Sequence, residues 1–573
     1  MYRTTLLTGQ LGLVVVGCLF GTAGLTAAEG GGGGSSSRGP KIVSMSVTGK
    51  PVKNDYTLNH CYTDVPLTKD TVYDKSNAPP LPKLEELQLV DAVTFPEPGH
   101  ELAITWHFTE KVRVGRFING DIYVVGPVTV KEITPAQQMG DEVPTSERVL
   151  KENFPNFTMK YGQIEDMGEV KRQVIRNGSV LNKPMSSGAG WDSRIPQARF
   201  MPKEISKPPY AMKPGDCLMS VKSIPIDEFV LLNNHQPTTR VGAVLTCVKE
   251  PLPADAFRPS FHQRNHKIYL ARNLKRELLY NLPKPASAPN DAGVVRMIRQ
   301  IQLPWIGVTS DWGWCNPSEN GPMYGQNMTN ICANSAVMLQ LDYSAKLKEP
   351  LLINFVQYGI DLYGAVEAGY QNWFGHGGYG SGRKLPIVMA GIMLGESDML
   401  ALDTKYPKAR FGEMMQVWYG KHYLGHTTIF ASHPLQYPES PELYGPAAYF
   451  DKYCKEKKDN QRAISSGQGY RHCCTTIEWV GEAVAMRLMR AEKPWGHPAF
   501  FDYIERWMKE DTKQWMDYAD FLKEHGDTVF ERERTMTRKP FEKKVSEPYF
   551  KEMYDQYWNN LPKALQGQEA YAK

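Results

Sequence analysis

The chain has 573 residues, of which 41% are hydrophobic and 22% are charged. This length exceeds what one ordinary hydrophobic core organises, so the sequence predicts more than one folded unit with a globular composition. The 66 basic and 62 acidic side chains leave a net charge of only +4. A broad positive field that would capture nucleic acid is therefore excluded, and we expect no nucleic-acid partner.

The N-terminus is typical of an export signal, because Arg3 precedes an apolar segment, 6–25, that glycines interrupt too often for a membrane span. Cleavage at the small residues 26–28 gives a signal peptide of residues 1–28. Alternatively, cleavage before Cys18 gives a lipoprotein with a lipid anchor on that residue. Residues 29–40 form a Gly/Ser tether. We expect an exported protein in the periplasm, at the cell surface or outside the cell.

Residues 41–255 are predicted to form a β-sandwich-like domain. Apolar and polar residues alternate from Glu101 in the period of two that is typical of a half-buried strand, and a second strand is expected at 112–118. Asn119-Gly120 predicts a hairpin with a type I′ turn that returns through 121–130. Further strands are expected at 179–181, 216–221, 228–232 and 241–248. An alternative role for this domain is carbohydrate binding through Trp106, Trp191 or Tyr210.

Residues 256–291 are predicted to be a linker region, Pro-rich from 282 and ending in Asn290-Asp291, either of which can cap a helix. Beyond it the apolar residues recur at three- and four-residue spacing. Helices are expected at 323–341, 350–368, 384–394, 475–490 and 498–521. The predicted fold is therefore an α+β multidomain protein, with the β-sandwich-like domain followed by a helical (α/α) toroid at 292–525 and a C-terminal tail at 526–573.

The segment 373–386 places five glycines around His376, Tyr379, Arg383 and Lys384. Glycine at such density is kept mainly where the backbone turns tightly or approaches another group closely. This segment is either a functional loop or a tight connection between helices. Three further segments concentrate polar groups, and all four can meet at one rim of a toroid. They are 324–330, 418–426 and 470–474.

Together these segments supply the groups that β-elimination on a uronic-acid polysaccharide needs. A histidine can take the C5 proton and a tyrosine can return a proton to the leaving oxygen, while asparagine or a cation neutralises the carboxyl group. The predicted catalytic residues are His376, Tyr379, His422, His472 and Tyr419. The predicted substrate-binding residues are Asn327, Arg383, Lys384, Arg471 and Trp373.

Two other chemistries have weaker signals. A glycoside hydrolase needs two facing carboxyl groups, and Asp361, Glu367, Glu413 and Glu478 are the candidates. A metal site is suggested only by the pair His422 and His426, which lacks the glutamate of the zincin pattern. We therefore expect no cofactor or catalytic metal, although a structural calcium ion stays open. None of the cysteine spacings is a CxxC pattern, and a disulfide such as Cys217–Cys247 is one option for an exported chain.

The residues of the four segments resemble those of secreted bacterial polysaccharide lyases of the alginate and heparinase type, over about 290–525. Those enzymes pair an α/α toroid with a β-sandwich and use Asn, His, Tyr and Arg in the cleft. The blocks 377–384 and 495–503 also look like blocks in exported bacterial proteins of unassigned function. The resemblance implies a polysaccharide lyase with an acidic polysaccharide as substrate. A glycoside hydrolase and a noncatalytic surface glycan-binding or structural protein are the alternatives, and the sequence does not indicate an oligomeric state.

Overall fold

The computed structural model describes residues 65–145, 170–195, 199–225, 237–262, 267–309, 315–321, 324–371, 373, 375, 377–419, 427–431, 470–511 and 543–572. The predicted export signal, the tether and the strand at 228–232 lie outside these residues. No helix in the described part of the chain has the length and apolar character to cross a membrane.

The strands are β1 (Gln88–Phe95), β2 (Ile104–Arg116), β3 (Ile122–Val125), β4 (Val128–Thr134), β5 (Gln138–Thr145), β6 (Val170–Arg176), β7 (Ser179–Leu181), β8 (Tyr210–Met212), β9 (Cys217–Ser223), β10 (Thr239–Val248), β11 (Val417–Tyr419) and β12 (Thr428–Phe430). Eight of them form one mixed sheet, in which β7, β9, β10, β3, β2, β4 and β8 follow one another and β1 pairs with β2. The pairs β5–β6 and β11–β12 form separate two-stranded sheets.

The seven-stranded path curls into a nearly closed barrel. β3 and β4 pair with the two halves of β2 on the side opposite β1, and they act as one long strand interrupted at Gly126 and Pro127. β3 then pairs in parallel with β10, while β4 pairs with β8. The two branches curve towards each other, so β7 and β8 lie at the remaining gap.

Ser206 and Gln137 bridge this gap. The amide of Ser206 donates to the carbonyl of Ser179 at 3.1 Å. The side-chain amide of Gln137 donates to the Ser206 carbonyl at 3.1 Å, and its oxygen accepts the amide of Ser179 at 3.1 Å. The hydroxyl of Tyr210 on β8 donates to the same Ser206 carbonyl at 3.1 Å. A single loop residue and one side chain thus replace the ladder that a further strand would provide.

The barrel corrects the prediction of a β-sandwich, because the strands form one curled sheet rather than two stacked ones. Period two correctly indicates which residues face inwards, but it carries no information about how a sheet closes. Trp106 lies inside the barrel, and Trp191 packs on the outer face of β7, β9 and β10. Both rings are 0% exposed and Tyr210 is 2% exposed, so none of the three predicted carbohydrate-binding rings presents a face to a sugar.

Several local predictions in this half are confirmed, with changes. The strands expected at 101–109 and 112–118 are one strand, β2. The hairpin follows it as predicted, but only Gly120 has a positive φ, +95°, so the turn is not type I′. Cys217 and Cys247 are free thiols. Cys217 pairs with Thr246 across the ladder, so Cys247 points to the opposite face of the sheet and the two cannot bond.

The helices are α1 (Asp291–Ile301), α2 (Gly325–Met338), α3 (Ala345–Glu367), α4 (Lys384–Leu394), α5 (Ser397–Leu400), α6 (Leu402–Lys405), α7 (Gly412–Met415), α8 (Thr476–Leu488), α9 (Glu492–Trp495), α10 (Pro498–Lys509), α11 (Pro548–Tyr557) and α12 (Glu569–Ala572). The predicted cap of α1 is confirmed for Asn290, whose side chain accepts the amide of Gly293 at 3.0 Å.

The helices do not form the predicted α/α toroid. A toroid needs consecutive antiparallel hairpins, whereas here α8 packs against α2, about 150 residues earlier, and also against α10 and α11. The cause lies in the composition of the helices, since α3, α4 and α8 are buried on nearly every side. Helices that are apolar all round form a central cluster rather than one layer of a ring.

The predicted linker region before the helices and the predicted tail after them both pack onto this cluster. In the predicted linker region, the carbonyl of Pro289 accepts the hydroxyl of Tyr343, and Leu282 forms a bridge with Leu341. In the predicted tail, α11 places Phe550 against Gly481 of α8, at a position where a methyl group would have no room. Both segments therefore contribute to the core.

Arg258 joins the barrel to the helices. Its guanidinium donates to Asp121, beside the β2–β3 turn, at 2.5 Å, and to both carboxylate oxygens of Asp361 on α3 at 2.9 and 2.5 Å. All three side chains are at most 5% exposed. One cation thus neutralises two buried carboxylates that would otherwise repel each other.

We predict that Arg258→Leu lowers the free energy of unfolding by about 3–5 kcal/mol, because two buried carboxylates lose their counter-charge. Denaturant titration of both proteins measures the difference. The exposed pair of Lys551 and Asp555 provides the control, since Lys551→Leu is expected to cost less than about 1 kcal/mol. Equal losses in the two variants would contradict the role given to Arg258.

Candidate functional site

The glycine-rich segment forms a loop before α4, here called the glycine loop and defined as residues 373–383. Trp373 fixes its first end: the indole N–H donates to the carbonyl of Val308 at 2.9 Å, and the ring stacks on Phe411 at 5.3 Å. Trp373 is 2% exposed and therefore presents almost no surface to a substrate.

Two glycines of the loop allow backbone to approach backbone. A Cβ on Gly378 would lie 2.3 Å from the carbonyl oxygen of Cys474, just before α8. Gly382 has φ +82°, and a Cβ there would lie 2.5 Å from the amide nitrogen of Thr329 on α2. The density of glycine thus places the loop directly on the starts of two core helices.

Three half-buried tyrosines lie in the loop or beside it. The amide of Gly378 donates to the hydroxyl of Tyr324 at 2.6 Å, and the rings of Tyr324 and Tyr379 meet edge to face at 5.1 Å. The ring of Tyr470 lies 2.6 Å from the point where a Cβ on Gly377 would stand. Three of the four polar segments singled out in the sequence therefore contact one another here. Most of the fourth, 420–426, lies outside the described residues.

Asn327 lies in the first turn of α2, three residues after Tyr324. Its side chain is half-buried and makes no hydrogen bond to another described residue. An amide that is accessible and not engaged by the protein is available to bind a polar group of a ligand.

Arg383 is used inside the loop. Its guanidinium, 1% exposed, donates to the carbonyl of Tyr379 and, at 2.6 Å, to that of Ser381. These bonds hold the loop in a tight ring before α4 begins.

Lys384 connects the sequence blocks 377–384 and 495–503. Its ammonium group contacts both carboxylate oxygens of Asp403 at 3.1 Å and lies 5.5 Å from the centre of the Trp495 ring. Gly496, with φ +72°, leaves room for the same carboxylate. Burial lowers the pKa of Lys384, although Asp403 partly offsets the effect. The blocks 377–384 and 495–503 thus meet in one buried junction.

Arg471 and His472 are also inside the protein. The guanidinium of Arg471 binds Glu510 and the hydroxyl of Tyr503, the latter at 2.9 Å, and lies 4.7 Å from the Trp507 ring. The His472 ring is 7% exposed and lies 4.8 Å from the same tryptophan. All three cations predicted to bind substrate are therefore buried and bound to groups of the chain itself.

Of the remaining predicted catalytic residues, Tyr419 donates its hydroxyl proton to Asp502 at 2.6 Å. Burial and this carboxylate raise the pKa of Tyr419 to about 12. His376 and His422 lie outside the described residues, so their assignment stays a prediction.

Beneath the loop lies a group of buried carboxyls that includes one residue the sequence analysis missed. Glu413 accepts the amide of Gly382 at 2.5 Å, whereas both oxygens of Glu482 have no hydrogen-bond partner among the described residues. Burial, and then Glu413 and Glu478, raise the pKa of Glu482 well above its usual range. The sequence shows Glu478 and Glu482 four residues apart in a mainly apolar helix. This spacing is also typical of a solvent-exposed face, so it did not indicate buried carboxyls.

The carboxyls considered for a hydrolase are engaged elsewhere. Asp361 binds Arg258, and Glu478 accepts the side-chain amides of Gln326 and Asn330 at 3.0 and 2.9 Å. Burial raises the pKa of Glu478. These carboxyls hold structure together and do not face each other across an open cleft.

Two further features complete the site. Cys473 and Cys474, whose partners the sequence could not assign, are bonded to each other directly before α8. Within the described part of the chain, no group of three or more His, Cys, Asp or Glu side chains is placed to hold a metal ion.

Comparison of the chain with protein-family models, with curated proteins and with solved structures finds no match. The resemblance to polysaccharide lyases therefore stays a prediction.

We predict that Gly378→Ala lowers the free energy of unfolding by about 1–3 kcal/mol, because the new methyl group collides with the Cys474 carbonyl. Gly140→Ala, on the exposed face of β5, is the control, since its methyl group would meet only Val174 at 3.4 Å. Denaturant titration compares the two. A Gly378→Ala variant as stable as the control would show that the loop does not rest on α8 as described.

His497 makes the stability of the protein depend on pH. Its Nε2 donates to the carbonyl of Val417 at 2.9 Å. Burial, with Lys384 adding to it, lowers the pKa of His497 from 6.5 to about 4. The unfolded chain therefore binds a proton more readily than the folded one, and stability falls as the pH falls from about 6.5 to about 4. At pH 5 the loss amounts to about 2 kcal/mol.

His497→Gln keeps a donor for Val417 without a group that titrates in this range. Denaturant titrations at pH 7.5 and pH 5 should therefore show a loss about 2 kcal/mol smaller for the variant than for the parent protein. The same pH dependence in both proteins would rule out His497 as its source.

Proposed function

We propose that the protein is a secreted carbohydrate-active enzyme, a polysaccharide lyase that cleaves a uronic-acid glycan by β-elimination beside the glycine loop. The observation that carries the proposal is the group of half-buried tyrosines, with Tyr324 and Tyr379 in edge-to-face contact and the Tyr324 hydroxyl on the amide of Gly378. Amphipathic rings with a polar end suit both sugar faces and proton transfer.

The reaction removes the proton from C5 of the uronate, forms the C4–C5 double bond and breaks the bond between C4 and the glycosidic oxygen. One group must accept the C5 proton and another must supply a proton to the departing oxygen. Tyr379 is assigned the second role because its side chain is half-buried at the surface of the loop. His376, between Gly375 and Gly377 in the sequence, is assigned the first role.

The carboxyl group of the uronate must be neutralised for the C5 proton to leave. Arg383, Lys384 and Arg471 already bind groups of the protein, which favours Asn327 for this task. An amide that donates a hydrogen bond to the carboxylate stabilises the charge that develops during elimination. This assigns the neutralising role to a residue three positions after Tyr324, in the first turn of α2.

The test incubates the purified chain with alginate, glucuronan, pectic and glycosaminoglycan polymers and follows the ultraviolet absorbance of unsaturated uronates. We expect absorbance to rise with one polymer class. Tyr379→Phe and Asn327→Ala should each lower the rate about 100-fold or more, because each removes a group that acts in the transition state.

Tyr406→Phe is the matched control, since the Tyr406 hydroxyl hydrogen-bonds, within the described part of the chain, only to that of Tyr363, at 3.3 Å. It should retain the full rate. If no polymer gives absorbance and none gives new reducing ends, the proposal fails, and glycan retention assays would then address a noncatalytic binding protein.

A further inference from the structure

A cavity of about 680 Å³ lies in the β half of the protein, between residues 65–82 and the β2–β3 hairpin at 115–120. None of its lining residues belongs to the glycine loop or to the tyrosines around it. Its volume is within the range of sites that hold small organic molecules.

One wall of the cavity is an irregular segment that the helical half holds in place, here called the strap and defined as residues 65–82. Three arginines donate to its carbonyls at 2.9–3.0 Å. The pairs are Arg299 with Val65, Arg276 with Tyr73 and Arg272 with Pro79. Since the wall is fixed at three points along its length, the cavity is preformed rather than opened by a ligand.

The interior of the cavity is apolar. Five prolines contribute to its lining, and the Tyr123 ring lies over Gly115, where any Cβ would collide with it. The five are Pro66, Pro79, Pro80, Pro82 and Pro96. The polar groups inside satisfy one another, because Thr68 donates its amide to Gln302 at 3.4 Å and its hydroxyl contacts the Asn119 carbonyl at 3.5 Å.

The charged lining residues are exposed. Arg116 and Lys69 provide two positive charges, and Glu97 provides one negative charge. The Arg116 guanidinium donates to the carbonyls of Gly120 and Pro96 at 3.0 and 3.4 Å, and no carboxylate of the described chain lies within 4 Å of it. Glu97 and Asp121 act on this guanidinium only through their charge at longer range, so it keeps donors for the carboxylate of a ligand.

Exposed leucines extend the apolar surface outwards from the cavity. The large hydrophobic side chains that are exposed in the described chain all lie between residues 67 and 89, with Leu67 in the cavity lining itself. They are Leu67, Leu81, Leu84 and Leu89. Of these four, Leu67 adds exposed apolar surface at the cavity itself.

We propose that this cavity binds an amphipathic carboxylate, with the apolar body between the strap and the hairpin and the carboxylate on Arg116. The proposal is independent of the lyase activity. It depends on the apolar lining, the preformed wall and the guanidinium at the exposed edge.

The test uses two probes with the same alkyl chain and opposite charge, decanoate and decyltrimethylammonium, each below its micellar concentration. Isothermal titration calorimetry of the full chain should give saturable binding of decanoate, at least about tenfold tighter than that of the cation. Arg116→Glu should reverse this preference, and its circular dichroism spectrum should match that of the parent because Arg116 is exposed.

Arg296→Glu is the matched control, since Arg296 is exposed on α1 and does not line the cavity. It should leave the preference for decanoate unchanged. The proposal is overturned if neither probe binds with saturation, or if Arg116→Glu binds decanoate as tightly as the parent does.

Discussion

The contact of Arg258 with Asp121 and Asp361 is the constraint on which the arrangement of the two halves depends. Asp121 lies at the β2–β3 turn and Asp361 lies inside α3, so one guanidinium fixes the barrel to the helical cluster. A buried charge triad is stable only when its hydrogen-bonding groups find partners within the protein. The barrel and the cluster are therefore held at a defined position, which hydrophobic packing alone does not specify. The β2–β3 hairpin, whose turn this contact holds, also forms one side of the cavity.

Around the glycine loop, the three predicted substrate-binding cations are buried and bind other groups of the protein. Arg383 closes the loop, Lys384 fastens it to the block around Trp495, and Arg471 holds α10 through Glu510. These structural contacts explain why the blocks 377–384 and 495–503 have distinctive sequences that do not indicate a reaction. The half-buried polar side chains beside the loop are the tyrosines and Asn327, which are neutral. Recognition of a charged sugar would therefore depend on hydrogen bonds rather than on opposite charge.

Local structure was predictable because it depends on nearby residues. Helix α4 was predicted at its observed bounds, β7 likewise, and Asn290 caps α1 as expected. The closure of the barrel was not predictable, because it depends on Ser206 and Gln137 meeting strands far along the chain. The burial of Arg471 was missed for the same reason, because its partners Tyr503 and Glu510 lie 32 and 39 residues further along the chain. Arg383 binds carbonyls within its own loop, but its burial depends on the packing of that loop against α2 and α8. Tyrosines at the site were expected, but the roles of the cations changed once their contacts were known.

The position of α11 has a consequence for how the protein is made. Its Phe550 completes the packing of α8, which in turn contacts α2 near the middle of the chain. The packing of α8 is consequently incomplete until α11 lies against it. The contacts that complete the cluster therefore join residues far apart in the sequence, and a high proportion of such contacts slows folding. A chain cut short before α11 would expose the face of α8 that Phe550 covers, and this exposed apolar surface would make it open to proteolysis.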